Sequence, residues 1–197
     1  MLVRDAVPDD IPALASIHVR AFPGFFLSRM GARFVQDYYA SVASDPSGWI
    51  LVGETGGRIV GAAVGFGDPA RFYRSYRSRP VRLLVPVLGA VVSDPRLIPL
   101  VVGNVRRARD ARTPPGDAEL ASLFVDPDDA GAGAGQRLLD AFVDRARTAG
   151  NAGVSLTTDA DGNDRARRFY AGAGFTETAT LFQGRRRLLV LRKATGA

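Results

Sequence analysis

The sequence predicts a mixed α/β (α+β) fold, one sheet with helices on both faces. Three observations lead there. Short β-branched runs alternate with segments of helical apolar period in the order β-α-α-β-β-insert-β-α-β-α-β-β. A glycine-rich stretch, Gly131-Ala132-Gly133-Ala134-Gly135, joins a strand to a helix. At 197 residues, 46% of them hydrophobic and 23% charged, the chain can bury one core and has an ordinary globular composition. A single domain over 1–197 is expected, with a basic helical insertion at about 69–115.

Leu2 to Ala6 reads as the first strand. Pro8-Asp9-Asp10 opens a helix that keeps Ile11, Leu14, Ala15, Ile17 and Val19 near helical period. Phe22-Pro23-Gly24-Phe25-Phe26 interrupts it. Ser28 is placed to cap a second helix, through Phe34, Val35, Tyr38 and Tyr39 to about Ala43. Trp49 to Glu54 and Arg58 to Phe66 flank Gly56-Gly57 as a hairpin. Seven prolines (69, 80, 86, 95, 99, 114 and 115) divide the next segment into short helices, expected at 70–78, 81–92 and 97–111. Glu119 to Val125 is a strand. The helix behind the glycines turns Leu138, Leu139, Phe142, Val143 and Ala146 inward and stops near Gly150. A strand ending at Asp159 and a short helix from Asn163 to Tyr170 come next. Phe175 to Phe182 and Arg185 to Leu191 form a last hairpin around Gln183-Gly184.

The net charge of +6 is uneven: ten Arg against Asp94 and Asp110 give residues 69–115 a net +8, so the rest of the chain sums to −2. Such a block suits an anionic partner, or a solvated arginine-rich surface. The apolar runs Val81–Val92 and Leu97–Val102 fall short of the roughly 18–20 residues of a membrane span. With no Cys, disulfides, thiolate zinc sites and cysteine nucleophiles are excluded. His18 is the only histidine, and no metal site is expected. MLVRDAVPDD lacks the apolar core of a secretory signal, so a cytoplasmic location is expected.

Alternating glycines at a helix start bring unpaired N–H groups and the positive end of a helix dipole together, a recipe for holding a pyrophosphate. Two nucleotide-binding patterns fail. A P-loop closes on Lys-Ser/Thr, where this chain has Gln136-Arg137. A dinucleotide fingerprint reads G-x-G-x-x-G directly after its strand. Here the order is G-x-G-x-G, Asp126 to Ala130 intervene, and only 38 residues come after Asp159.

Val125-Asp126-Pro127 and Gly133-Ala134-Gly135, backed by Leu138-Leu139, are similar to the R/Q-x-x-G-x-G/A coenzyme A loop of the GCN5-related N-acetyltransferase superfamily. Asn163, Ala166, Phe169-Tyr170 and Gly174-Phe175 resemble that family's second signature, N-x-x-A-x-x-F-Y-x-x-x-G-F. Ala130 stands where the family has Arg or Gln. The resemblance implies a central, mixed but mostly antiparallel sheet of about six to seven strands. It implies acetyl-CoA (coenzyme A) as co-substrate, and transfer of its acetyl group to a primary amine of a small molecule. Direct attack in a ternary complex is expected, since no Cys is present to carry an acyl group.

By the same resemblance the backbone of Leu123, Phe124 and Val125 takes the pantetheine arm as an added strand. The amides of Gly131, Ala132, Gly133, Ala134, Gly135 and Gln136 take the pyrophosphate. Asn163 contacts the cofactor or caps the last helix. Tyr170, beside the cofactor, is the catalytic acid, and Glu119 is the catalytic base or an ordinary strand-end acid. An amide at Phe124 or Val125 is placed to polarise the thioester. His18 is a packed residue or a base near the acceptor. Phe22, Phe25, Phe26, Tyr38 and Tyr39 are core contacts or the acceptor wall. HVRAFPGFFLSRMGARF resembles transferases of glycan and amino-sugar assembly, making an amino sugar, anionic when nucleotide- or lipid-linked, one candidate acceptor. Other readings are an inactive coenzyme A-binding or partner-docking module, peripheral lipid contact through 69–115, and a homodimer. Phe72, Tyr73 and Tyr76 among the arginines suit base stacking, but no nucleic-acid fold signature accompanies them, and no nucleic acid is expected.

Overall fold

The computed structural model describes residues 1–78, 113–183 and 186–196. In chain order its elements are β1 (Leu2–Asp5), a 3₁₀ turn (Pro8–Asp10), α1 (Ile11–Ala21), α2 (Phe26–Arg29), α3 (Ala32–Ala43), β2 (Gly48–Thr55), β3 (Arg58–Phe66) and α4 (Pro69–Ser78). Next come β4 (Asp117–Val125), a second 3₁₀ turn (Pro127–Asp129), α5 (Ala134–Thr148), β5 (Gly153–Asp159), α6 (Asp164–Gly172), β6 (Thr176–Gln183) and β7 (Arg186–Ala194). The helices expected at 81–92 and 97–111 lie outside the described residues, as does Gly184 of the turn expected at Gln183-Gly184; Gln183 itself ends β6.

The seven strands form one sheet in the order β1-β2-β3-β4-β5-β7-β6. Only β4 and β5 run parallel; every other neighbouring pair is antiparallel. Both faces are covered, which is why β2 and β3 read as near-continuous apolar runs. Leu138, Leu139, Phe142 and Ala146 of α5 pack on one face against Trp49, Leu51, Leu120, Val154 and Leu156. On the other face Leu14, Ile17, Val35, Tyr39 and Val42 from α1 and α3 meet Ile50, Val52, Val64, Phe66 and Phe124, and Phe72 of α4 joins them. Each large side chain buried there contributes about 1.5–3 kcal/mol.

Two local features set the course of β4 and hold it to its neighbours. Val64 pairs with Ser122 and Gly65 with Leu120, so Ala121 is the extra residue of a β-bulge. The bulge resets the alternation of β4. Leu120, Leu123 and Val125 face α5, while Phe124 faces α1 and α3. The second feature is an ion pair between a buried carboxylate and a partly exposed guanidinium. Arg192 Nε and Nη2 donate to Asp117 Oδ2 and Oδ1 at 2.7 and 2.9 Å, and Ser155 Oγ donates to Oδ2 at 2.7 Å. A Cβ on Gly153 would lie 2.7 Å from Arg192 Nη2 and 2.8 Å from Asp117 Oδ1, so glycine there leaves room for the pair.

One expected cap is wrong. Ser28 lies within α2, and the residue preceding α3 is Gly31, at φ 90°. The turn between the two helices uses a left-handed backbone, which glycine enters at little cost and serine does not.

Candidate functional site

β4 and β5 pair at only three positions, Asp117↔Gly153, Ala118↔Val154 and Glu119↔Ser155, and then part. β4 runs on to Val125 and β5 to Asp159. At roughly 3.3 Å per residue the unpaired part of β4 is about 20 Å long. Its edge toward β5 therefore carries backbone groups with no strand partner, a template for an extended, amide-bearing ligand. Leu123, Phe124 and Val125 lie on that edge.

The open edge leads to the glycine loop. Asp126 anchors the elbow between them. Its buried carboxylate accepts from Arg20 Nη2 of α1 at 2.5 Å, and Arg58 Nη1 of β3 lies 3.8 Å from it. Arg58 also bonds Asp129 at 2.8 Å. Gly131 and Gly133 take φ of 92° and 76°, with nothing within 4 Å of where a Cβ would stand. Gly131, Ala132 and Gly133 donate no backbone hydrogen bond among the described residues. The first amides of α5, Ala134, Gly135 and Gln136, are unpaired by the geometry of any helix start. Open donors, absent side chains and a helix dipole thus converge, and the residues present fit a diphosphate. The Gln136 side chain turns away, donating to Asp140 at 2.8 Å.

The C-terminal end of α6 closes on the same place. A Cβ built on Gly135 would meet Val125 Cγ2 at 3.7 Å and Phe169 Cζ at 3.9 Å, so the two sequence signatures touch. Tyr170 packs against Phe169 and Phe175, with ring centroids 5.2 and 5.7 Å away. Burial pushes its phenol up to about 12, and no hydrogen bond contributes to that shift. Asn163 does not cap α6 with its side chain; Nδ2 donates to Thr158 Oγ1 at 2.8 Å. Asn163 occupies the N-cap position of α6, but its side chain makes no bond to the helix amides.

Glu119 stands at the last paired position, where the strands begin to part. Tyr73 Oη donates to its Oε1 and Thr113 Oγ1 to its Oε2, each at 2.8 Å. The carboxylate borders a pocket that Ser155, Leu156, Thr157, Leu181 and Val190 also line. Most of the basic block lies outside the described residues. Of the aromatics noted there, Phe72 is buried and stacked on Phe66 at 3.8 Å, and Tyr73 is committed to Glu119. Phe72 offers no face for a nucleic-acid base.

His18 is a packed residue, 3% exposed, its Nδ1 sharing a 2.6 Å hydrogen bond with Tyr39 Oη. Phe22 and Phe124 lie edge-on to the imidazole, and Ser122 bonds Tyr39 from the β4 side. Burial holds the imidazole down at about 4 instead of 6.5. The folded protein resists a proton that the unfolded chain accepts below 6.5. Stability from this group is therefore complete above pH 6.5 and lost progressively as pH falls toward 4. Between pH 7.5 and 5 the wild type should lose about 2 kcal/mol through His18, and His18→Gln should lack that component in urea unfolding. Equal pH dependence in the two proteins would contradict it. Of the other aromatics at the front, Phe22 and Tyr39 are core contacts and Phe25 is exposed.

Sequence reasoning missed Asp126 with Arg20 and Arg58, and the clamp of Tyr73 and Thr113 on Glu119. Only the turn signal of Asp126-Pro127-Asp128 hinted at the first. Nothing local marks the second.

No helix among the described residues is long and apolar enough to cross a membrane, and they hold no cluster of three or more His, Cys, Asp or Glu suited to a metal ion. Curated proteins give no match to the chain. Among solved structures, a protein assigned to the GNAT acetyltransferases from Desulfovibrio desulfuricans superposes with a TM-score of 0.68 at 17% identity, over 99% of each chain. A ribosomal-protein-alanine N-acetyltransferase from Brucella melitensis gives 0.64 at 20% identity, over 98% of this chain and 99% of that one. The yncA acetyltransferase from Salmonella typhimurium, with its cofactor acetyl-CoA, gives 0.63 at 20% identity, over 100% and 95%. At these identities the likeness is one of fold. The acetyltransferase (GNAT) family matches residues 11–175, from α1 through α6 and so across both signatures; the chain belongs to that family.

Proposed function

We propose that the protein is an acetyl-CoA-dependent N-acetyltransferase acting on a primary amine of a small-molecule acceptor. The parting of β4 from β5, with an unpaired edge leading into open amides, is the observation that carries this reading. Leu123 to Val125 would hold the pantetheine arm, and Gly131 to Gln136 the diphosphate. Asn163, just past the end of β5, would meet the arm from the opposite side. When bound, acetyl-CoA supplies an activated acetyl group.

The chain's own residues then have distinct tasks. Glu119 takes a proton from the acceptor's ammonium, leaving a nucleophilic lone pair. The amine nitrogen attacks the acetyl carbon, the C–N bond forms, the C–S bond breaks, and the surplus proton on nitrogen passes through solvent to the departing thiolate, giving the amide and the free thiol. An amide of Phe124 or Val125 steadies the carbonyl oxygen as charge gathers on it. Tyr170 donates a hydrogen bond to the departing sulfur. The pocket beside Glu119 presents that carboxylate, which suits the amine end of an acceptor. An amino sugar remains the acceptor class suggested by the sequence of α1 and α2. A cytoplasmic setting is part of the same proposal.

Calorimetry tests the cradle. The wild type should bind acetyl-CoA with measurable heat. Gly133→Ala, forced out of a left-handed backbone that costs a non-glycine residue roughly 1–2 kcal/mol, should bind about tenfold more weakly as the loop relaxes. No heat with the wild type would remove the proposal. A second reading, coenzyme A held without transfer, is favoured by the hydrogen bond already accepted at each Glu119 oxygen. Heat without thiol release on any amine would establish it.

A further inference from the structure

We infer that Arg20 and Arg58 are positioning residues for coenzyme A: they neutralise and hold the acidic elbow ahead of the glycine loop, so that an anionic diphosphate can settle on the loop amides. This rests on the reading of that loop as the diphosphate cradle. From Asp126 to Gln136 the chain carries Asp126, Asp128 and Asp129 and no Lys or Arg. The helix dipole and the open amides favour an anion there, while three carboxylates a few residues upstream repel one. Ala130 brings no polar side chain to offset them. The counter-charge must come from elsewhere in the fold.

It comes from two elements remote in sequence. Arg20, in the last turn of α1, donates from Nη2 to Asp126 Oδ2 at 2.5 Å. Its Nη1 donates to Ser16 Oγ at 2.9 Å, which steadies the guanidinium against its own helix. Arg58, the first residue of β3, donates from Nη2 to Asp129 Oδ1 at 2.8 Å and keeps Nη1 3.8 Å from Asp126. All three carboxylates raise the Arg58 pKa above its ordinary value, Asp129 foremost. The two guanidiniums bracket the elbow.

The elbow in turn holds the loop. The Asp126 amide donates to the Val60 carbonyl at 2.8 Å, the Asp129 amide to the Asp126 carbonyl at 2.9 Å, and the Asp128 amide to Asp126 Oδ1 at 3.3 Å. Beyond Ala130, Gly131 and Gly133 have no side chain to pack and donate no backbone hydrogen bond among the described residues. The cradle is therefore fixed at its two ends, by the first turn of α5 and by this elbow. A loop left loose would have to be ordered by the ligand, at the expense of affinity.

Calorimetry with acetyl-CoA, at a temperature where circular dichroism shows each variant folded, tests this. Arg20→Met should raise Kd about tenfold and Arg58→Gln about fivefold, while Arg20→Lys, which keeps a charged donor, should stay within about twofold. Arg4→Met is the stability control. It strips the buried Asp10 carboxylate of its cation on β1, three places from β4 in the sheet, and should leave Kd within about twofold. In an Asp126→Asn background Arg20→Met should add less than about twofold, because its effect runs through the carboxylate. An unchanged Kd in Arg20→Met, or in Arg58→Gln where the first does not fold, overturns the inference. So does a loss in Arg4→Met as large as that in Arg20→Met, which would reduce the effect to stability. Full additivity of Arg20→Met and Asp126→Asn overturns it as well. No heat with the wild type removes the cradle itself, a failure distinct from normal binding that ignores the arginines.

Discussion

Arg192→Met should lower the stability of the fold by about 3–5 kcal/mol, the range seen when one partner of a buried ion pair is removed. The side chain of Asp117 is completely buried and accepts three hydrogen bonds, two of them from Arg192. Without the guanidinium only Ser155 remains, and a carboxylate is left in the sheet interior with its charge uncompensated. For a chain of 197 residues, at roughly 2–4 °C per kcal/mol, the melting temperature should fall by about 10 °C or more. Urea unfolding and thermal denaturation both read the effect. Replacing Asp117 and Arg192 together with apolar residues should cost much less, since the penalty lies in the orphaned charge. A single substitution as mild as the double one would show that the pair is not a fastener. The location gives the prediction functional weight. The pair ties β4, β5 and β7 at the end where β4 and β5 are still joined, and so fixes the point from which they part.

The legibility of each feature depends on where in the chain it is encoded. Gly131 and Gly133 announced their left-handed backbone because few other residues enter it, and Leu138, Leu139 and Phe142 announced the buried face of α5 by their spacing. Phe169 and Tyr170 were legible through a motif, and Gly135 through another; that they touch is a tertiary fact. Ser28 misled because a serine before a helical run looks like a cap, while Gly31 held the conformation that the turn demanded. Asn163 takes the N-cap position that its place in the sequence suggests, while its side-chain amide bonds Thr158 and no helix amide. Asp117 and Arg192, 75 positions apart, gave no signal at all, nor did Tyr73 and Glu119, 46 apart. Such pairs depend on strand order, here with β7 inserted between β5 and β6, and a local pattern does not specify it. The bulge at Ala121 was invisible for the same reason, yet it sets which face of β4 each side chain meets.

Tyr170→Phe should lower kcat about a hundredfold while acetyl-CoA affinity stays within about threefold, the loss expected for one hydrogen bond to a developing charge. How Tyr170 would assist the departing sulfur depends on how firmly its phenol holds the proton. A phenol at its ordinary value of about 10 would be a reasonable proton donor to a thiolate. Burial pushes this one up to about 12, whereas an ordinary thiol ionises near 8.5. Complete proton transfer from the phenol to the thiolate would then run uphill by more than three pKa units. Donation without transfer has no such penalty. It needs only that the hydroxyl stay protonated, which burial favours, and that no protein group compete for it; none among the described residues contributes a hydrogen bond to its shift. The pH–rate profile separates the two roles. A donor that stays protonated leaves no descending limb below about pH 11, and Tyr170→Phe should lower the whole curve without changing its shape. A limb near pH 9–10 that disappears in the variant would return Tyr170 to the part of a proton-transferring acid. An unchanged kcat would remove it from the chemistry altogether, leaving its ring as packing beside Phe169 and Phe175.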